Sequence, residues 1–132
     1  MTYRELFDAA VRMVDENAAD GDTEDYEERA GYLLATACSQ CAPQDEVYRK
    51  AHGLGQSTTQ DVGLYVTLDG EFPLSPIFAP AVACYLAAML VLDENEEMSD
   101  TLFSHYANAL AAIRGGLPVT AEKIADRYEG TL

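Results

Sequence analysis

The amino-acid sequence predicts a mainly α-helical domain: a bundle of about four helices, with a small β-hairpin or extended arm between the second and third long helices. Three observations carry that reading. Four stretches repeat apolar residues at the three-and-four spacing of a helix, and most open on a cap or close on glycine. One of them, Pro76 to about Leu92, is apolar around most of its circumference and so belongs at the centre of the domain. Between the second and third stretches, the run Val62-Gly63-Leu64-Tyr65-Val66-Thr67-Leu68 has the composition and partial alternation of a strand.

The chain opens on Thr2-Tyr3-Arg4-Glu5, a capping box, followed by Leu6, Phe7, Ala10, Met13 and Val14 at helical spacing, which predicts a first helix ending near Ala18. Gly21 falls in the polar turn that follows, with Asp22 or Thr23 able to cap the next helix. Tyr26, Ala30, Leu33, Leu34, Ala37, Cys38 and Cys41 define one face of that second helix. Pro43 is expected to break it or to start a further turn, with Gln44 to Ala51 helical again and His52-Gly53-Leu54-Gly55 ending it. Gln56 to Asp61 is a polar connector. Asp69-Gly70 then reads as a tight turn, with Glu71-Phe72 as a stub of partner strand; such a hairpin must lie on the helices or on a neighbouring subunit.

Ser75-Pro76 is a helix start, because serine can accept orphan amide bonds and proline at the first position loses no bond it could have made. Pro80 falls in or just after the first turn, where its missing amide costs little. A membrane span needs roughly 20 apolar residues, but the prolines at one end and the acidic residues at the other favour a core helix. Asp93 to Glu97 makes an acidic corner, with Asn95 or Ser99 as the next cap. Leu102, Phe103, Tyr106, Ala109, Leu110 and Ile113 form the stripe of a fourth helix that Gly115-Gly116 ends. The expected organisation is one helical domain over residues 1–116 with an extended connector at 53–73. Residues 117–132 form a tail whose Thr120 cap and Ile124, Ala125 and Tyr128 suit docking on something else.

With 132 residues the chain is one domain in length and can bury a core. Its 23 acidic residues against 8 basic ones give a net charge of −15, which argues against specific nucleic-acid binding and against an anionic membrane surface. The first 20 residues hold acidic groups and no long apolar run, so no secretory signal is expected and synthesis is intracellular. An odd number of cysteines, three, predicts reduced thiols.

Cys38-Ser39-Gln40-Cys41 has the spacing of a metal or redox half-site, but it lies within a helix and lacks a second pair. A zinc site would need Cys84 and His52 or His105 to converge on it; buried apolar cysteine is the favoured reading. No catalytic residues, cofactor or metal ligands emerge, since no nucleophile triad, phosphate-cradling glycine loop or paired-histidine motif is present. Tyr3, Tyr26, Tyr32, Tyr48, Tyr65, Tyr85, Tyr106 and Tyr128 fall one or two to each element and suit core rims and interfaces.

The element order, the passage from Asp69-Gly70-Glu71-Phe72-Pro73-Leu74 into the Tyr85-Leu86-Ala87-Ala88 helix, and the following Asp93-Glu94-Asn95-Glu96-Glu97 with Tyr106 beyond it resemble the head–tail adaptor (connector) proteins of tailed bacteriophages and prophages. The resemblance covers roughly Met1 to Ile113. It implies a non-enzymatic virion protein without cofactor, assembling in a homo-oligomeric ring against the portal and neighbouring virion proteins. Assembly would take place in the bacterial cytoplasm, and the finished ring would sit in the virion neck. Gln56 to Phe72 and Leu117 to Leu132 would be its gripping arms, with Tyr65, Phe72, Leu117, Ile124 and Tyr128 as assembly contacts. The alternative is an acidic protein-binding regulator or inhibitor of the DNA-mimic type, which would need carboxylates spaced along one face; here they cluster at helix ends and turns. A third reading is a small enzyme or metal protein using Cys38, Cys41 and a histidine.

Overall fold

The computed structural model describes residues 1–14, 23–55 and 62–117, and these are mainly helical. Four α-helices appear: α1 (Tyr3–Val14), α2 (Thr23–Ala51), α3 (Ala79–Val91), entered through a 3₁₀ turn at Pro76–Phe78, and α4 (Glu96–Gly115). Helix α3 touches each of the other three. It is the apolar centre that its sequence demands: Ala81, Val82, Ala83, Leu86, Ala87, Ala88 and Leu90 are all buried. Leu6, Phe7 and Ala10 of α1 and Tyr26, Leu34 and Cys38 of α2 complete the core, with the α4 stripe half-buried against it.

The capping signals are used in part. Thr2 Oγ1 accepts from the Glu5 amide at 3.4 Å, and Asn95 accepts from the Met98 amide at 3.0 Å to open α4. Ser99, the other candidate cap, is buried and donates to the Ala88 carbonyl at 2.8 Å, fastening α4 to α3. Ser75 precedes the 3₁₀ turn but makes no side-chain cap bond; instead its backbone N–H donates to Asp45. Gly116 closes α4 by donating to the Ala112 and Arg114 carbonyls.

Two expectations are corrected. Pro43 does not break the second helix, which runs unbroken for 29 residues. A proline inside a helix costs about 3 kcal/mol, but Cys41 and Asp45 on either side of it are buried and hold the backbone, while Pro43 and Ser39 face solvent. The carbonyl left without its amide can therefore bond water. Nor does a β-hairpin form among the described residues. The stretch 62–75 is irregular, and the partner of Glu71 is Thr2, in a single antiparallel bridge. The Phe72 amide donates to Met1 O at 2.8 Å, while the amides of Tyr3 and Arg4 donate to the Gly70 and Leu68 carbonyls at 3.0 and 2.9 Å. The chain's first residues thus take the backbone bonds that a partner strand was expected to supply.

The extended connector is consequently strapped to the domain. At its middle the Val66 amide donates to the Gly31 carbonyl at 3.1 Å. Gly31 lies inside α2, where glycine weakens a helix, but a β-carbon there would collide with the Tyr65 ring and lie 2.5 Å from the Val66 carbonyl oxygen. At its end Asp45, fully buried, accepts from the Ser75 amide at 3.1 Å and from Arg49 Nε at 3.0 Å. Arg49 also reaches the Pro73 and Gly55 carbonyls. One buried carboxylate therefore fixes both edges of the connector to α2.

Candidate functional site

A strapped connector presents whatever side chains it does not bury. Gly63, at φ 69°, turns the chain in the left-handed region open to glycine. Directly after it Leu64 stands 86% exposed, an unusual position for a large aliphatic side chain. Tyr65 is half exposed and meets Tyr32 of α2 edge-on, ring centroids 4.8 Å apart, and Tyr32 is itself 58% exposed. Val62, Val66 and Leu68 point the other way, partly buried against the core. The result is an outward-facing apolar and aromatic patch on a stretch that backbone bonds tie to α2 at Val66 and to the first residues of the chain at Leu68, Gly70 and Phe72. Beside it runs an open groove of about 840 Å³ lined by Tyr3, Arg49, Val62, Tyr65, Glu71 and Pro73 among others.

Of the sequence-predicted contacts, Tyr65 belongs to this patch. Phe72 does not: it is buried, packing edge-on to Tyr3 with centroids 6.2 Å apart, and is used inside the domain's own core. Leu117 is half-buried just past α4, its amide bonded to the Arg114 carbonyl at 3.2 Å. Ile124 and Tyr128 lie outside the described residues, as do the acidic residues Asp15, Glu16, Asp20 and Asp22 of the first turn.

The cysteines and histidines are dispersed. Cys38 and Cys41 are buried on α2, each 3.9 Å from a tyrosine hydroxyl, Tyr3 and Tyr106 respectively. Burial pushes the Cys38 thiol up to about 12 and raises Cys41 and Cys84 as well, so none is held as a reactive thiolate. Burial raises the Tyr3 and Tyr106 phenols too. His52 is exposed, resting on Tyr48 with ring centroids 4.3 Å apart, and His105 is exposed on α4. Among the described residues no group of three or more His, Cys, Asp or Glu could hold a metal ion, and no helix is long and apolar enough to cross a membrane.

Comparison with protein-family models, with curated proteins and with solved structures gave no match. Sequence reasoning missed Leu64, Gly31 and the Asp45–Arg49 pair, and named Tyr32 only as one of eight tyrosines suited to core rims and interfaces. A signal existed for the pair, an acid and a base four apart on a helix. Gly31 was also visible, as a lone glycine inside a helical pattern, which marks close approach by another backbone.

Proposed function

We propose that the protein is a non-enzymatic structural subunit of a phage or prophage, a head–tail adaptor that assembles in a ring against the portal. The observation that carries this reading is Leu64, held out into solvent beside Tyr65 and Tyr32 on a connector strapped at both ends. A side chain so placed gains nothing for its own fold. Buried against a neighbour, a leucine contributes about 1.5–3 kcal/mol, and a ring repeats that gain at every subunit. Because the loop is already fixed, little ordering entropy opposes the contact.

The charge supports the same reading. Like-charged surfaces repel, so a strongly acidic chain resists random self-association and closes only where apolar contacts are templated, as on a portal. Part of the acidic charge of α2 and α4 stands in their first turns, Glu24 and Asp25 in one and Glu96 and Glu97 in the other, where the helix dipole favours it. That intramolecular role weighs against a DNA-mimic inhibitor. The test is to mix the protein with the portal protein of its own genome and view the particles by negative-stain electron microscopy. A ring of added density under the portal is the expected result; portals that stay bare over a wide range of concentration would end the adaptor reading.

A further inference from the structure

Two apolar features of the fold face different ways. The projection made by Leu64, Tyr65 and Tyr32 stands on the outer face of α2, because Tyr32 lies midway between Ala30 and Leu34, both fully buried. The second feature is a groove of about 350 Å³ between α1 and α3, lined by Glu5, Ala9 and Met13 of the first helix and Ala79, Pro80 and Ala83 of the second. Arg4 pairs with Glu27 of α2 at 2.8 Å. Met13 follows Arg4 by nine residues, about two and a half turns, so the groove opens on the side of α1 turned away from α2.

A ring needs two such features. Head-to-tail packing brings different patches of each subunit together, whereas a twofold dimer sets one patch against itself. Leu64 cannot swing round into the groove of its own copy, since the connector is tied to α2 at Val66 and to the first residues of the chain at Leu68 and Gly70. The polar groups of the two surfaces also match. Glu5 is the only charged side chain among the described residues that line the groove, and its carboxylate has no partner among the described residues. Tyr65 and Tyr32 carry phenol hydroxyls that are likewise without a hydrogen-bond partner among the described residues, on a face that is otherwise apolar.

We propose that Leu64 and Tyr65 of one copy seat in the α1–α3 groove of the next, Leu64 against Ala9, Met13 and Pro80, with the Tyr65 hydroxyl donating to Glu5. The contact deepens the adaptor reading and rests on it for the ring. The exposed charges that flank the two surfaces are mostly acidic, Asp8 with Arg12 beside the groove, Glu28 a turn before Tyr32 and Asp69 further along the connector. Free copies therefore repel, and the contact closes on a template or in salt that screens them.

The test uses the full chain in two variants at exposed positions, Leu64→Asp, which keeps the groove, and Met13→Asp, which keeps the projection. Circular dichroism checks that both are folded. Sedimentation velocity is run in about 1 M salt, where the Debye length is about 3 Å. Each variant alone is monomeric. Mixed, they pair at least about tenfold more tightly than either does with itself. The pair grows no larger than a dimer, because only one intact contact remains, while the parent forms larger species as its concentration rises. Ala9→Asp gives the same result in place of Met13→Asp. Mixed variants that stay monomeric, or a Leu64→Asp protein that associates like the parent, would overturn the proposal. If the parent completes a ring on the portal and Met13→Asp joins that ring as readily, this contact falls and the adaptor reading stands. If the mixed variants pair while portals stay bare of the parent, the contact stands and the adaptor reading falls.

Discussion

Asp45→Ala tests how the connector is held. The wild-type carboxylate is fully buried and has two partners on its two oxygens, the Ser75 amide at 3.1 Å and Arg49 Nε at 3.0 Å. Removing it strands a buried N–H, which costs about 1–3 kcal/mol. Arg49 loses its ion pair but is partly exposed and can turn towards water, so its share is the smaller one. The expected loss is about 3 kcal/mol, at the low end for a broken buried pair. Asp45→Asn keeps an acceptor for Ser75 but sets an amide donor against Arg49, and loses about half as much. Arg49→Leu strands the buried carboxylate and costs about 3 kcal/mol or more, while the Asp45→Ala/Arg49→Leu double variant costs clearly less than the sum of the singles. Urea unfolding followed by circular dichroism, with the slope unchanged, gives each value. An Asp45→Ala protein within about 1 kcal/mol of the parent would refute the view that this carboxylate fastens the connector.

Other outcomes follow from the same packing. Gly31→Ala improves the helix propensity of α2 by about 1 kcal/mol, yet is expected to destabilise by about 1–3 kcal/mol, because its methyl drives the Val66 carbonyl away; faster amide exchange at Val66 checks this. Unfolded thiols lose their proton near about pH 8.5, whereas folded Cys38 keeps its proton up to about 12. The folded state therefore holds the extra proton above that lower value, and its stability, complete below it, falls as pH rises towards the folded value. Cys38→Ala should flatten that alkaline decline by about 1.4 kcal/mol per pH unit, as measured by denaturant midpoints from pH 8 upward. Alkylation of the folded chain should mark half-buried Cys84 first and leave Cys38 and Cys41 unlabelled until the domain opens, as peptide mass mapping would show.

The helices were legible because their signals are local. The Thr2 and Asn95 caps, the Gly115-Gly116 stop and the all-round apolar character of Ala79–Val91 each act within a turn or two, and each stands in the fold. What failed was non-local. Pro43 carried a correct local penalty that packing around Cys41 and Asp45 overrode. Val62 to Leu68 had strand composition, but a ladder needs a partner, and the first residues of the chain took up the bonds around Glu71 instead. Phe72 read as an arm residue because nothing in its neighbourhood shows that Tyr3 lies across from it. Leu64 went unnoticed inside an apparently alternating run, since only the turn at Gly63 reveals which way it points.

Leu64→Asp separates assembly from folding most directly. So exposed a side chain changes stability by no more than about 0.5 kcal/mol, which thermal unfolding verifies before any assembly is attempted. Parent and variant are then titrated onto the portal protein of the same genome and weighed by mass photometry. The adaptor account predicts that the parent adds mass to each portal up to one complete ring and that Leu64→Asp adds little or none. Portals that gain no mass from the parent, or that take up Leu64→Asp as readily, would contradict it.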